Sequence, residues 1–352
     1  MNHSLMSYIR EYRCVSLHQK PFNQVDALLL SQLAYLKMKE VVPGFGAAAY
    51  PTLRQMHDAE KYEEMFSDPV YGSMYRDIFE LIWNSRRYSQ IKAVCYTTVH
   101  DTARECRFAA VSFLLGESST FVAFRGTDET LLSWKEDLKL SCMDVIPSQE
   151  RALCYLTEMA HHTHGRMIIG GHSKGGNLAV YAAAMASDRI QHRISRIYNF
   201  DGVGFQPDFY QGKGYRQIQD RIFKLVPRQS TIGQILCDQP GRRIVKSYKK
   251  GFQQHDLMNW QIRNGKFQYT KTLHLSSRRF GKRVNSLLSS LSEQERMEVV
   301  NKIYDILGGD QVRTVYELKI SAIVTQLLHY LAGPKDPSKR ALVQTIGILA
   351  SV

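Results

Sequence analysis

The sequence predicts an α/β fold: a mostly parallel central sheet with helices on both faces, extended by helical segments at both ends. Three observations carry this. From residue 91, short runs rich in β-branched and aromatic residues alternate with helix-length amphipathic stretches, the rhythm of strand, crossover helix, strand. The apolar run 167–169 passes through Gly170-Gly171 and the following turn into the small, Ala-rich helical stretch 178–186. Finally, the 352 residues are 44% hydrophobic without any long biased tract, enough to bury a large core.

Residues 1–90 read as helical. Residues 22–26 lead into an apolar helix through Leu36, with Leu28, Leu29, Leu33 and Leu36 at helical spacing, and Pro43-Gly44-Phe45-Gly46 ends it. Two further helices are expected over 52–66 and 72–83, separated by Asp68-Pro69. Their aromatics read as core, and the region is suited to cover a site or act as its lid. Strands are expected at 91–99, 108–115 and 120–124, the last running into Arg125-Gly126-Thr127-Asp128, with Trp134 and Asp137 on a helical segment beyond. A helix over 149–164 precedes the glycine turn.

Beyond that turn, strand 194–200 ends in Asp201-Gly202 and strand 221–226 ends in Pro227, at the sheet edge where open α/β folds bind ligands. Residues 244–248, 260–263 and 266–269 read as edge strands, the last two joined by Asn264-Gly265 in a type I′ hairpin, with His255-Asp256 in the intervening loop. A basic, serine-rich linker follows. Ser292-Glu293-Gln294-Glu295 forms a capping box for a helix reaching Leu307, stopped by Gly308-Gly309, and two more helices are expected over 312–331 and 338–349. Three regions result: a helical 1–90, an α/β core over 91–275 and a helical 276–352.

No basic, apolar, small-residue leader opens the chain and no run of about eighteen apolar residues occurs. The six cysteines are scattered without a C-x-x-C pair, which reads as reduced thiols in a cytoplasmic protein. The net charge of +13 is concentrated: residues 241–283 hold twelve Lys or Arg against one acid, Asp256. Such a block suits a solvated face, an anionic membrane surface or a phosphate-bearing substrate, whereas no nucleic-acid motif accompanies it. His161, His162 and His164 cluster at a helix end without nearby acids, so they read as a dipole-favoured cluster rather than metal ligands. No metal, cofactor or internal repeat is indicated, and the oligomeric state is not legible.

Gly171-His172-Ser173-Lys174-Gly175 has the G-x-S-x-G form of a nucleophile elbow, in which a strained strand-to-helix turn lifts a serine hydroxyl above the sheet and the helix start offers amides to an oxyanion. With Phe124-Arg125-Gly126-Thr127, Trp134 and Asp137, the stretch 171–179 resembles the paired signatures of class 3 lipases, and more closely a bacterial family of lipase-like α/β-hydrolases, over residues 91–269. The resemblance implies an α/β-hydrolase fold and ester cleavage through an acyl-serine on Ser173. It also implies oxyanion donors at the backbone amides of Thr127 and Lys174, with the Thr127 hydroxyl adding a second bond. On that reading substitution of Lys174 matters less than substitution of Thr127.

In that fold the order along the chain is Ser, acid, His. His192, His255, His274 and His329 follow the elbow at a distance, and His255 is the best-placed base, with His274 next. The acid is harder to assign, because Pro227-Arg228-Gln229-Ser230-Thr231 holds no carboxylate where class 3 lipases carry theirs. Asp201 is favoured and Asp238 is the alternative, with Ser230 or a backbone carbonyl a further means of orienting the imidazole. The expectation is a carboxylic ester hydrolase working through Ser173, His255 and Asp201 on a small-molecule or lipid ester. The rival is an inactive hydrolase fold that binds a partner or an anionic membrane through its basic face.

Overall fold

The computed structural model describes residues 3–236, 241–319, 323, 325–327, 330 and 337–349. Four helices come first, α1 (Leu5–Tyr12), α2 (Gln24–Leu33), α3 (Leu53–His57) and α4 (Gly72–Ile82). An eight-stranded sheet follows. Strands β1 (Lys92–Asp101), β2 (Cys106–Leu114) and β3 (Ser119–Phe124) form an antiparallel meander. Strands β4 (Arg166–His172), β5 (Ile194–Phe200), β6 (Ile222–Pro227) and β7 (Arg243–Val245) then run parallel to β3, each beside its predecessor. The hairpin β8 (Ile262–Arg263) and β9 (Lys266–Phe267) stands apart, and β10 (Tyr269–Thr270) closes the sheet antiparallel to β7.

Because β3 to β7 advance in one direction, right-handed crossovers must lay every connecting helix on the same face. The packing agrees. Helices α5 (Leu131–Lys139) and α6 (Pro147–His162) connect β3 to β4, α7 (Lys174–Met185) and α8 (Asp188–Arg193) connect β4 to β5, and α9 (Pro207–Gln211) and α10 (Lys213–Ile218) connect β5 to β6. Val122 and Phe124 share one apolar core with α6, α7 and α10, while Phe121 and Ala123, pointing the other way, share a second with α1, α2 and α4. The second face would be bare without the N-terminal helices. Helix α2 is accordingly buried on nearly every side, Val25, Leu28, Leu29, Leu30 and Leu33 together with the polar Asp26, Ser31 and Gln32, as a helix sandwiched in a core must be.

A buried ion pair holds that cover down. Arg87 bonds Asp26 through Nε at 2.9 Å and through a terminal nitrogen at 2.5 Å, and also donates to the carbonyls of Val15 and Lys20. Tyr8 and Tyr88 donate to the same carboxylate, leaving it no unused acceptor.

Several expectations need correction. Residues 52–66 split into α3 and a 3₁₀ turn, Tyr62–Phe66, because the stripe begun by Leu53 and Met56 would next bury Glu60 and Glu63, whereas the buried pair is Met65 and Phe66. The basic linker is a helix, α11 (Leu275–Ser290), whose core-facing residues are Ser277, Phe280 and Gly281, so that a single large apolar side chain among them leaves no stripe to read. The strand expected over 244–248 ends at Val245. Helix α12 (Glu293–Ile306) has the expected capping box. The helix expected over 312–331 starts instead as a 3₁₀ turn, Val315–Glu317, because Val315 N–H bonds Glu129 and the Arg313 carbonyl receives Leu131 N–H. Part of its remainder lies outside the described residues. The last helix is α13 (Pro337–Leu349). No helix among the described residues is long and apolar enough to cross a membrane.

Candidate active site

Ser173 sits where β4 turns into α7, with φ of +56°, a conformation that costs an L-residue about 1–3 kcal/mol and persists only where its surroundings enforce it. Its amide donates to the Phe200 carbonyl at 2.9 Å, tying the turn to β5. Gly171 and Gly175 allow the close passage: a Cβ on Gly171 would lie 2.4 Å from the Gly175 backbone, and one on Gly175 would lie 2.2 Å from the Phe124 carbonyl oxygen. The amide of Lys174 opens helix α7 and, like the amide of Thr127, has no hydrogen-bond acceptor among the described residues.

Asp201 follows β5, wholly buried, at φ of +52°. Its amide bonds the Leu225 carbonyl at 2.8 Å, and the next amide, of Gly202, is received by the Asn199 side chain at 2.8 Å. One carboxylate oxygen faces His255 Nδ1 at 2.8 Å and the other accepts the Ser230 hydroxyl at 2.5 Å. Asp201 therefore stands where the sequence lacked an obvious acid, and Ser230 acts on the carboxylate rather than on the ring. With Nδ1–H spent on Asp201, Nε2 of His255 is the ring's free lone pair.

The loop that carries His255 is clamped on both sides. Trp260, fully buried, donates its indole N–H to the Gln254 carbonyl at 2.8 Å, and the Gln254 side chain exchanges hydrogen bonds with Gln229. Against the elbow the His255 ring lies 4.4 Å, centroid to centroid, from that of His172. The His255 carbonyl can only accept, so His172 donates to it from Nε2 at 2.9 Å, and Nδ1 of His172 must then accept the Tyr35 hydroxyl at 3.1 Å. Burial, reinforced by His255, holds the His172 pKa well below its ordinary value. Ser173 Oγ and the His255 ring are not hydrogen-bonded to each other in this conformation, a link that commonly tightens only with substrate bound.

Two oxyanion expectations change. The Thr127 hydroxyl donates to Asp137, so only its amide is available. Lys174 contributes more than an amide: its ammonium is buried and meets Glu136 at 3.0 Å and Asp137 at 3.2 Å. Glu136 also accepts the amides of Arg107 and Ser148, so one carboxylate joins β2, α5, α6 and α7 beneath the elbow.

His274 caps α11 by accepting from Ser276 N–H, and His192 contacts the Asp188 carbonyl, so neither approaches the elbow. His329 and the alternative acid Asp238 lie outside the described residues. Trp134 is exposed on α5. Asp256 receives Met258 N–H and the Asn259 side chain, not the neighbouring ring. Tyr35 and His172 escaped the sequence reading, although His172 occupies a variable position of the elbow motif. Among the described residues no group of three or more His, Cys, Asp or Glu is arranged to hold a metal ion, and His162 packs edge-on against Phe45 and Tyr50.

A mostly parallel sheet with a serine at positive φ between close-packed glycines at the carboxyl end of its strand has the geometry of a strand-to-helix nucleophile elbow. The chain belongs to the Mbeg1-like family, whose model matches residues 82–305. A comparison with curated protein sequences finds no match. Among solved structures it is similar to M37 lipase, at 12% identity and a TM-score of 0.40 over 60% of this chain and 70% of that one. It is also similar to a mutant form of MDLA from Penicillium cyclopium, at 8% identity and a TM-score of 0.39 over 75% of this chain and 86% of that one.

Proposed function

We propose that this protein is a serine hydrolase that cleaves a carboxylic ester through an acyl-serine on Ser173. The observation that carries the reading is the 2.8 Å contact of His255 Nδ1 with buried Asp201, set against a strained serine turn. In the reaction His255 Nε2 takes the Ser173 proton as Oγ attacks the ester carbonyl, and Asp201 stabilises the imidazolium. The Thr127 and Lys174 amides receive the developing oxyanion, and His255 then returns the proton to the departing alkoxide. Water repeats the sequence to release the acid.

A fluorophosphonate probe tests the nucleophile. The wild-type protein should be labelled and Ser173→Ala should not, while His255→Ala should lose turnover of a short-chain nitrophenyl ester by at least ~10³-fold and keep its fold. An unlabelled wild type would instead favour a non-catalytic scaffold that binds through its basic surface. Turnover unchanged in His255→Ala would remove that residue from the mechanism.

A further inference from the structure

The lysines and arginines of the block 241–283 have no part in the chemistry above, yet three of them, Arg243, Arg263 and Lys266, converge on one groove. This cleft of about 860 Å³ lies on the α2 face of the sheet, at the end remote from Ser173. Arg196 and Tyr198 come from β5, Phe223 is the second residue of β6 and Arg243 the first of β7, so the groove begins towards the amino ends of β5 to β7, whereas Asp201 follows the carboxyl end of β5 and the elbow follows that of neighbouring β4. One strand length, about 20 Å, separates the two.

The lining brings five cations together: Lys20, Arg196, Arg243, Arg263 and Lys266. No carboxylate lines the groove among the described residues, and none of the five is in an ion pair there. Asp26, which acts on Lys20, is consumed by Arg87, and Glu11 on α1 lies outside the lining. Burial and the neighbouring Arg87 depress the Lys20 pKa, and Asp26 and Glu11 offset this only in part.

Between the cations the floor is aromatic. The Arg243 guanidinium lies 4.5 Å from the Phe223 ring centre and 5.9 Å from that of Tyr269. Asn23 and Gln24, at the amino end of the ten-residue α2, form another wall, where the helix dipole favours negative charge. The β8–β9 hairpin, turned by Asn264 at φ +52° and Gly265 at φ +68°, carries Arg263 and Lys266 over the opening.

We propose that this groove binds a phosphate ester whose apolar or aromatic body lies on Tyr198, Phe223 and Tyr269 while the arginines hold its phosphate. A carboxylate brings one charge. A phosphate monoester brings up to two and matches the planar guanidinium fork, so it suits this density of arginines better. The ester is either a soluble molecule or a phospholipid headgroup, and it binds whether or not Ser173 is reactive, so this site stands independently of the hydrolase reading.

The test uses the full-length protein at low salt with two probes. These are adenosine diphosphate, followed by calorimetry, and vesicles of phosphatidic acid, a phosphate monoester, in phosphatidylcholine, followed by cosedimentation. Wild type and Ser173→Ala should bind at least one probe equally, and Arg196→Gln/Arg243→Gln should bind it at least tenfold more weakly. Binding of the diphosphate identifies a soluble ligand, and binding of vesicles alone identifies the headgroup. Arg263→Gln, on the exposed hairpin, gives the same reading should the double variant fail to fold. The proposal is overturned if wild type binds neither probe, if the groove variants bind as wild type does, or if Lys249→Gln/Lys250→Gln, outside the groove, weakens binding as much.

Discussion

His172 matters through its protonation state. Its ring must remain neutral to donate from Nε2 to the His255 carbonyl while accepting from Tyr35 at Nδ1, and burial keeps it so by lowering its pKa from the ordinary 6.5. Below that value the unfolded chain takes up a proton that the folded chain refuses, so stability is full above about pH 6.5 and declines as the pH falls. Melting temperatures between pH 5 and 8 should show this loss, and His172→Gln should flatten the profile. Asp201 and Ser230 divide the task of orienting His255. Asp201→Asn should lower kcat by about 10⁴-fold, because an amide cannot stabilise the imidazolium, whereas Ser230→Ala removes one hydrogen bond to the carboxylate and should cost about tenfold. Equal losses in the two variants would show the hydroxyl to be as important as the acid.

At the scale of elements, the elbow rests on a buried electrostatic joint. Lys174 pairs with Glu136 and Asp137 below the turn that presents Ser173, so Lys174→Met should cost about 3–5 kcal/mol in urea denaturation by leaving buried carboxylates uncompensated. Thr127→Ala, which removes one side-chain hydrogen bond, should cost about 1 kcal/mol. For stability the Lys174 substitution is therefore the more severe, a separate ranking from the one expected for the oxyanion role. The elbow turn, the strand before it and the Asn-Gly hairpin were legible because each has a local signature, whereas Asp201 was nominated as a polar residue just past a strand and His255 from its order after the elbow in the fold that the sequence resembles. The Lys174 joint and the His172–Tyr35 bridge were not. Their partners lie 38 and 137 positions away, and nothing in a single chain records which polar groups meet inside it. Helix α11 was missed for a different reason, a core face on which Phe280 is the one large apolar residue beside Ser277 and Gly281.

At the scale of the molecule, strand order explains the N-terminal helices. A sheet whose crossovers all fall on one side needs a separate layer for the other, and α1, α2 and α4 supply it around Phe121, Tyr198 and Phe200. A chain lacking residues 1–38 should therefore fail to give a soluble monomer, checked by size-exclusion chromatography and circular dichroism. A well-folded truncated chain would mean that these helices are a removable lid.

This arrangement also sets a problem of timing during synthesis. Helix α2 leaves the ribosome early, but β5, a strand it must cover, is complete only more than 160 residues later, and β9, which also packs on it, later still. At ordinary elongation rates that is a wait of roughly ten to thirty seconds for a leucine-rich segment with no partner. The clasp of Arg87 on Asp26 and on the carbonyls of residues 15–21 becomes available within the first hundred residues, so it can hold the early helices together until their seat is built.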